Sequence, residues 1–387
     1  MSIYSPESAP YGKIDISNWR QAHNNKWAFN HVNEIIPTTT VENDSQRSFI
    51  FRHTEENIND PLFEQLLAET ETDAIIVLHK GRIVHEQYAN GNNKDTHHIL
   101  MSATKAVIGL LAGIIEQKGM IVLKTPVSAY IPELHGTTYG SITLRNLLDM
   151  RCGIILNKEQ EMRYAKAANW DPVPPTDTRI GLHDFYLELN NLQPTSDDTF
   201  RYISANTDLL GWAIERATGQ PVNKLLSEII WQPMGAEHPA YMTVDINGAA
   251  RCTGGLCATI RDFALLGQSI IGQGGQQQGI PAIIPSTLLD DIAENGDREA
   301  WQNGEWGKAF AAISDNMAYR SGWYIIHSDP KLIFAMGIYG QYLFLDPFNQ
   351  IVIAKFSSWK DSLDYSAISK THQLVARIRS ILTGETV

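Results

Sequence analysis

A chain whose strand-forming runs lie at its two ends can build a single sheet only by bringing those ends together. Near the N-terminal end, "DAIIVLHKGRIVHEQYAN" holds two β-rich runs around Lys80-Gly81, a tight-turn signal, and predicts a hairpin. Towards the C-terminal end come "SGWYIIHS", "KLIFAMGIYG", "YLFLDP" and "QIVIAKFSS", four short runs with turn residues between them. A last stretch, "SAISKTHQLVARIRSILTG", reads as an amphipathic helix ending at a glycine. Between these ends the pattern is helical from Ser102 to about Gly272, as in "SATKAVIGLLAGIIEQKG", "TLRNLLDM", "NTDLLGWAIERATG" and "TIRDFALLGQSII". Gly119 and Gly219 stand where helix C-caps belong, and "GQGGQQQGI" reads as a surface loop. No βαβ alternation appears. The expected class is therefore α+β: an antiparallel sheet flanked by terminal helices, with an inserted all-α lobe. The expected divisions are an N-terminal arm over 1–70, a discontinuous sheet domain from 71–101 plus 300–387, and a mainly helical lobe over 102–299.

Composition narrows the classes of function. A net charge of -12 gives no basic face for phosphates, so no nucleic-acid partner is expected. The longest apolar and glycine run, Ala106 to Ile115, is too short to span a bilayer, so no membrane partner is expected. "MSIYSPESAPYGKID" carries neither a basic n-region nor an apolar h-region; no signal peptide is expected, and cytoplasm is the expected location. Three cysteines, Cys152, Cys252 and Cys257, form no C-x-x-C pair and argue against a disulfide framework or structural zinc. No metal or cofactor is expected, and the protein is expected to be a monomer or homodimer.

Three S-x-x-K matches occur, and context separates them. "SDPK" at Ser328 holds a proline between strand runs and is a turn. "SSWK" at Ser357 leaves a strand for a charged loop. Only "SATK" opens a long helix, where the i, i+3 spacing stacks Ser102 and Lys105 on one face near the positive helix end. Read structurally, Ser102 is an N-cap and Lys105 snorkels to solvent. Against that, the helix after Ser102 is almost wholly apolar and should be buried on most faces, so its lysine must be paired or have a depressed pKa. No serine lies in G-x-S-x-G, and there is no H-E-x-x-H or phosphate loop. His97 and His98 read as surface or packing residues.

A serine with a lysine one turn away needs a proton donor for the leaving group. In serine hydrolases of the penicillin-binding type, which the serine–lysine pair resembles, that donor is the first residue of a Tyr-x-Asn or Tyr-x-Ser element, and such elements occur here at Tyr88, Tyr139, Tyr202 and Tyr319. The literal "YAN" at Tyr88 ends the early hairpin and is a decoy. "YIS" at Tyr202 would be presented just before a helix beginning near Asn206, although a buried tyrosine with one satisfied hydroxyl is the plain alternative.

At this point the chain resembles the serine β-lactamase and penicillin-binding-protein superfamily. "ITLRNLLDMRCGI" is similar to the family's I-T-[IV]-R-x-L-L-x-M-x-S-G-I segment, with Cys152 replacing the usual serine. "CTGGLCATIRDFALLG" and "GIYGQYLFLDP" resemble its G-G-x-x-[ST]-T-x-R-D segment and its site-closing strand, and "NKWAFNHVNEIIPT" resembles the N-terminal arm of 6-aminohexanoate-dimer hydrolases. The resemblance runs from about Trp19 to Trp359, nearest to those hydrolases and to family VIII carboxylesterases. It implies a β-lactamase/DD-peptidase-like fold. It implies Ser102 as acylated nucleophile, Lys105 as base partner, Tyr202 as proton shuttle and Ser204 as the second polar position of the tyrosine element. The Lys-Thr-Gly element of β-lactamases reads Ala335-Met336-Gly337 here, and Ile338 would supply a backbone N–H beside that of Ser102 as an oxyanion hole. Gly337 and Tyr164 join the expected substrate-binding set, Tyr164 as the nearest candidate for a second tyrosine found in the dimer hydrolases. Glu159 and Glu161 read as solvated carboxylates, or as attracting a substrate ammonium if Tyr164 fills that role.

The expected function is hydrolysis of small-molecule esters or linear amides through an acyl-enzyme on Ser102. The alternatives are a β-lactamase or D-alanyl peptidase, disfavoured by "AMG", and a catalytically silent binding protein on the same fold.

Overall fold

The computed structural model describes residues 12–55, 57–189, 192–195, 198–272 and 278–384. Thirteen strands are present among them: β1 (Thr38–Val41), β2 (Thr72–His79), β3 (Arg82–Tyr88), β4 (His97–Ile99), β5 (Ile154–Ile155), β6 (Gln193–Pro194), β7 (Ala240–Thr243), β8 (Leu256–Thr259), β9 (Met317–Arg320), β10 (Trp323–Ile326), β11 (Leu332–Gly337), β12 (Gln341–Asp346) and β13 (Ile351–Ser357). The longer helices are α1 (Pro61–Glu69), α2 (Thr104–Gln117), α3 (Lys158–Ala167), α4 (Ala205–Thr218), α5 (Ile260–Ile271), α6 (Ser286–Glu294) and α7 (Tyr365–Thr383). Part of "GQGGQQQGI", 273–277, lies outside the described residues.

The main sheet has the order β3-β2-β13-β12-β11-β10-β9, every pair antiparallel. Strands from the two ends of the chain meet at β2–β13, as the bracketing pattern requires. Lys80 (φ 52) and Gly81 (φ 77) turn β2 into β3 with both central residues left-handed, the geometry a two-residue hairpin prefers. The pleat divides β2 between two cores: Ile75 and Val77 face α1 and α7, while Ala74, Ile76 and Leu78 face the interior shared with α2 and α5. Burial on both sides explains why these strands read as apolar runs rather than as alternating ones. Asp60 caps α1 through the Phe63 N–H at 2.9 Å and also pairs with Arg377 of α7, which locks the terminal helices together.

The middle of the chain differs from the expected all-α lobe. It carries β7 and β8, which join β1 of the arm and β4 in a four-stranded sheet of order β1-β7-β8-β4. The arm is thus stitched into the body by a strand. Helix α5, expected with the lobe, lies on the main sheet against β2, β12 and β13. Its amphipathic pattern states that one face is buried but not which layer buries it.

Helix α2 is buried from Thr104 through Ile115. A side chain at Gly109 would put its Cβ 1.9 Å from the Ser321 carbonyl oxygen, so only glycine lets the β9–β10 turn rest on the helix. No helix among the described residues is long and apolar enough to cross a membrane.

Candidate active site

Ser102 sits in a 3-10 turn, Met101–Ala103, that runs into α2. Met101 precedes it with φ 47, fully buried, so packing holds a left-handed methionine that would otherwise be unfavourable. The serine side chain does not cap the helix; the N-cap position is Ala103 and makes no side-chain cap bond. Instead Lys105 Nζ is hydrogen bonded to Ser102 Oγ at 2.9 Å and to the Thr253 carbonyl at 3.0 Å. Lys105 is 1% exposed, and burial holds its ammonium well below the usual lysine pKa, with Asp208 opposing and Arg251 reinforcing that direction.

Tyr202 lies in the loop before α4. Its ring has Lys105 Nζ on it at 4.7 Å from the centroid and Trp306 stacked at 4.4 Å. Burial pushes its phenol above the usual tyrosine range, and a hydrogen bond with Ser102 pulls the other way. The other tyrosine elements are elsewhere engaged. Tyr88 donates to Glu86 on β3, Tyr139 donates to Asn206 at 3.0 Å, and Tyr319 is buried in β9. Of the other S-x-x-K serines, Ser328 donates to the Pro330 carbonyl in a turn and Ser357 is buried beside Lys355 and Thr70.

A cavity of about 440 Å³ opens over this group, and its walls include Ser102, Tyr164, Tyr202, Ser204 and Ile338. Five of the seven expected site residues therefore share one space. Lys105 stands behind the wall on Ser102, and Gly337 packs beneath the serine turn. A Cβ on Gly337 would meet the Leu100 carbonyl oxygen at 2.4 Å and the Ser102 nitrogen at 3.0 Å. Its place is therefore a close backbone approach rather than a cavity wall. Neither the Ser102 nor the Ile338 N–H donates to a backbone acceptor among the described turns and loops. Gln341 braces the Ile338 turn: its Nε2 donates to the carbonyls of Ile338 (3.3 Å) and Ser357 (2.7 Å).

Tyr164, on α3, is buried, and its hydroxyl is engaged with Asp208 and with Thr253 Oγ1 at 3.2 Å. Asp208 also accepts from Arg251 Nη1 and from the Thr253 N–H, both at 2.8 Å, and Arg251 lies over the rings of Tyr164 and Trp170. Sequence reasoning missed Asp208, Arg251, Thr253, Trp306 and Gln341. Thr253 and Gln341 fall inside stretches whose family likeness is visible, but nothing in the sequence assigns them partners. Glu161 reaches the cavity and Glu159 does not line it. His97 is bonded to the Pro239 carbonyl at 2.6 Å, and His98 is buried and stacked on Phe356. Among the described residues, Asp95, Glu237 and His238 bring ligand atoms within 4.8 Å of one another, away from the cavity, with Lys94 and Arg261 on the two carboxylates.

A seven-stranded antiparallel sheet with terminal helices on one face, and a serine–lysine helix start with a tyrosine against it at the wall of one cavity, define a β-lactamase-type hydrolase fold. Residues 59–377 match the Beta-lactamase family model, and the chain belongs to that family. It is 31% identical over 365 residues to the 6-aminohexanoate-dimer hydrolase of Paenarthrobacter ureafaciens, covering 91% of this chain and 90% of that one. A provisionally named 6-aminohexanoate-dimer hydrolase structure from Bacillus anthracis superposes with a TM-score of 0.83 at 25% identity over 99% of both chains. The class C β-lactamase of Rhodobacter sphaeroides shares the fold, with a TM-score of 0.60 at 15% identity over 82% of this chain and 98% of that one.

Proposed function

We propose that this hydrolase cleaves esters and linear amides through an acyl-enzyme on Ser102. The observation that carries the reading is the 2.9 Å contact between Ser102 Oγ and a lysine that is wholly buried. Serine is a weak nucleophile until a base takes its proton. An ordinary lysine, with a pKa of roughly 10.4, is protonated at neutral pH and serves poorly as that base. Burial lowers the Lys105 value, while burial raises that of Tyr202. The two shifts favour a neutral amine beside a neutral phenol. Lys105 accepts the serine proton, and the carbonyl carbon becomes tetrahedral as Oγ adds. Its oxyanion is received by the N–H groups of Ser102 and Ile338, each such donor being worth about 2.7–4 kcal/mol. Tyr202 delivers a proton to the departing alcohol or amine and is reprotonated through Lys105. Water then adds to the acyl-enzyme by the same proton path and frees the acid.

β-Lactams are poor candidates. Ala335 is fully buried and neither it nor Met336 lines the cavity, so the strand offers no ammonium or hydroxyl to a carboxylate. Esters demand least, because an alkoxide leaves with less proton donation than an amine. Amides depend wholly on Tyr202, since the Tyr164 hydroxyl is engaged with Asp208. The test is a fluorophosphonate label mapped by peptide mass, run beside turnover of p-nitrophenyl butyrate, a linear 6-aminohexanoate dimer and nitrocefin. Label confined to Ser102 with ester turnover above that of nitrocefin is expected. Label on Ser328 or Ser357, or a higher kcat/KM for nitrocefin, overturns the reading.

A further inference from the structure

Behind the Ser102–Lys105 pair lies a buried ion pair that the proposed chemistry does not use. Asp208 and Arg251 are each 4% exposed, and their side chains meet at 2.8 Å. Burying two charges is costly even when they are paired, so the arrangement calls for a reason beyond stability. The bonds around it supply one. Asp208 comes from α4, and its Oδ1 accepts the Thr253 N–H at 2.8 Å. The carbonyl of that same Thr253 receives Lys105 Nζ at 3.0 Å. Thr253 Oγ1 donates to the Ser204 carbonyl, which ties the turn to the loop carrying Tyr202. The Asp208 carboxylate thus fixes the short segment that holds the lysine, and the Thr253 hydroxyl anchors that segment to the tyrosine loop.

We propose that the Asp208–Arg251 pair is a positioning element of the site: Asp208 fixes the Thr253 carbonyl on which Lys105 rests, and the pair sets the charge balance under which that lysine works. The proposal rests on the reading of Ser102 and Lys105 given above. Lys105 touches Ser102 from its own turn, the Thr253 carbonyl and the Tyr202 ring, and the charges beside these contacts are Asp208 of α4, bonded to the Thr253 N–H, and Arg251, two residues before Thr253 and bonded to Asp208. Of the strands packed against α2, β11 ends in Ala335-Met336-Gly337, and β10 carries Tyr324, which is stacked with Trp306 and Phe334. Helix α6 also packs on α2, with Leu288 against Gly113, and its Asp291 is bonded to Arg320. The charges joined to the lysine's support are therefore those of Asp208 and Arg251, opposite in sign and bonded to each other.

Opposite charges give a test with opposite outcomes. Lys105 works unprotonated, so the acid limb of kcat/KM follows its pKa. Asp208→Asn removes the charge that favours the ammonium, and the limb is expected to move to lower pH by about one pH unit, the lower end for a neighbouring charge. Arg251→Met leaves the carboxylate unopposed, and the limb is expected to move to higher pH by a similar amount. The double variant returns the limb to near the wild-type position. A purely structural pair would lower activity in all three without moving the limb in opposite directions. Equal shifts of one sign, or none, overturn the proposal. If Asp208→Asn fails to fold by circular dichroism, Arg251→Met read against the double variant decides by the same sign. Ser102→Ala is run alongside: turnover surviving that change overturns the serine reading, whereas turnover lost there with an unmoved limb in the pair variants overturns this proposal alone.

Discussion

Gly337→Ala tests the geometry of the proposed oxyanion site without touching a side chain of the reaction. The new Cβ would stand 2.4 Å from the Leu100 carbonyl oxygen, 2.9 Å from Met101 Cβ and 3.0 Å from the Ser102 nitrogen. An ordinary carbon contact is about 3.5–4.0 Å, so the strand and the serine turn must separate by roughly 1 Å. Two of the three neighbours are backbone atoms, and Met101 is already held at φ 47, so no side chain can swing aside to absorb the shift. Overpacking of this kind costs about 1–3 kcal/mol of stability. The Ser102 N–H, on the turn, and the Ile338 N–H, next after Gly337, move apart by the same displacement. A misplacement of about 1 Å costs on the order of 10²-fold in rate, comparable with losing one oxyanion donor at about 10²–10³-fold. Steady-state ester hydrolysis should show kcat down by about 10²-fold with KM changed far less, and thermal unfolding should show a protein that still folds. A kcat within about threefold of wild type would refute the assignment of Ile338 and Ser102 as the paired donors.

Lys105→Ala and Tyr202→Phe should each lower kcat by at least about 10²-fold with the fold intact by circular dichroism, the lower end for general acid–base groups. Tyr88→Phe should leave kcat unchanged, because that hydroxyl is spent on Glu86; the reverse pattern would move the proton donor to Tyr88. The kcat/KM profile of the wild type should fall on the acid side, at a pH below the ordinary lysine value, as Lys105 takes up a proton. It should show no basic fall until above the ordinary tyrosine range, because burial raises the Tyr202 phenol. A basic limb near pH 8 would contradict the assigned protonation states. A separate buried lysine offers a stability test. Burial lowers Lys355 to about 7, so from there up to its free value of roughly 10.4 the unfolded chain binds a proton that the folded one lacks, and stability rises with pH. Denaturant titrations at several pH values should show that rise reduced in Lys355→Met, and an unchanged slope would contradict the shift.

Much of this architecture is legible because it rests on local signals. Lys80-Gly81 sets its hairpin by turn chemistry, and the nearly all-apolar run after Ser102, interrupted only by Thr104 and Lys105, is long enough to read as a helix buried on most faces. The helix it opens singles out Ser102 among three S-x-x-K matches, and family likeness and a place before a helix single out Tyr202 among four tyrosine elements; the two line one cavity. What was not legible is what depends on distant partners. Strands β1, β4, β7 and β8 have three or four residues each, too few to show a period, and are strands only because they find one another across the chain. Helix α5 shows a buried face to any reader, yet sheet and lobe would bury it equally well. Asp208 and Arg251 are 43 residues apart, and each alone reads as a surface charge.

The same distinction explains how the site is built. The three groups assigned to the reaction come from two segments, the start of α2 and the loop before α4, and neither segment holds its own geometry. The serine turn is set by Gly337 beneath it, the lysine by the Thr253 carbonyl, and the tyrosine ring by Trp306 stacked on its face. Each of these supports comes from a third region of the chain and acts through shape or a single backbone group. A side chain with catalytic chemistry can be recognised from its type and spacing. Its support cannot, because a glycine, a main-chain carbonyl and an indole face have no chemistry of their own to advertise. Variation among hydrolases of this fold can therefore proceed through the supporting residues while serine, lysine and tyrosine stay in place, and substitutions at Gly337, Thr253 and Trp306 should alter rate and substrate preference more than their distance from the acyl bond suggests.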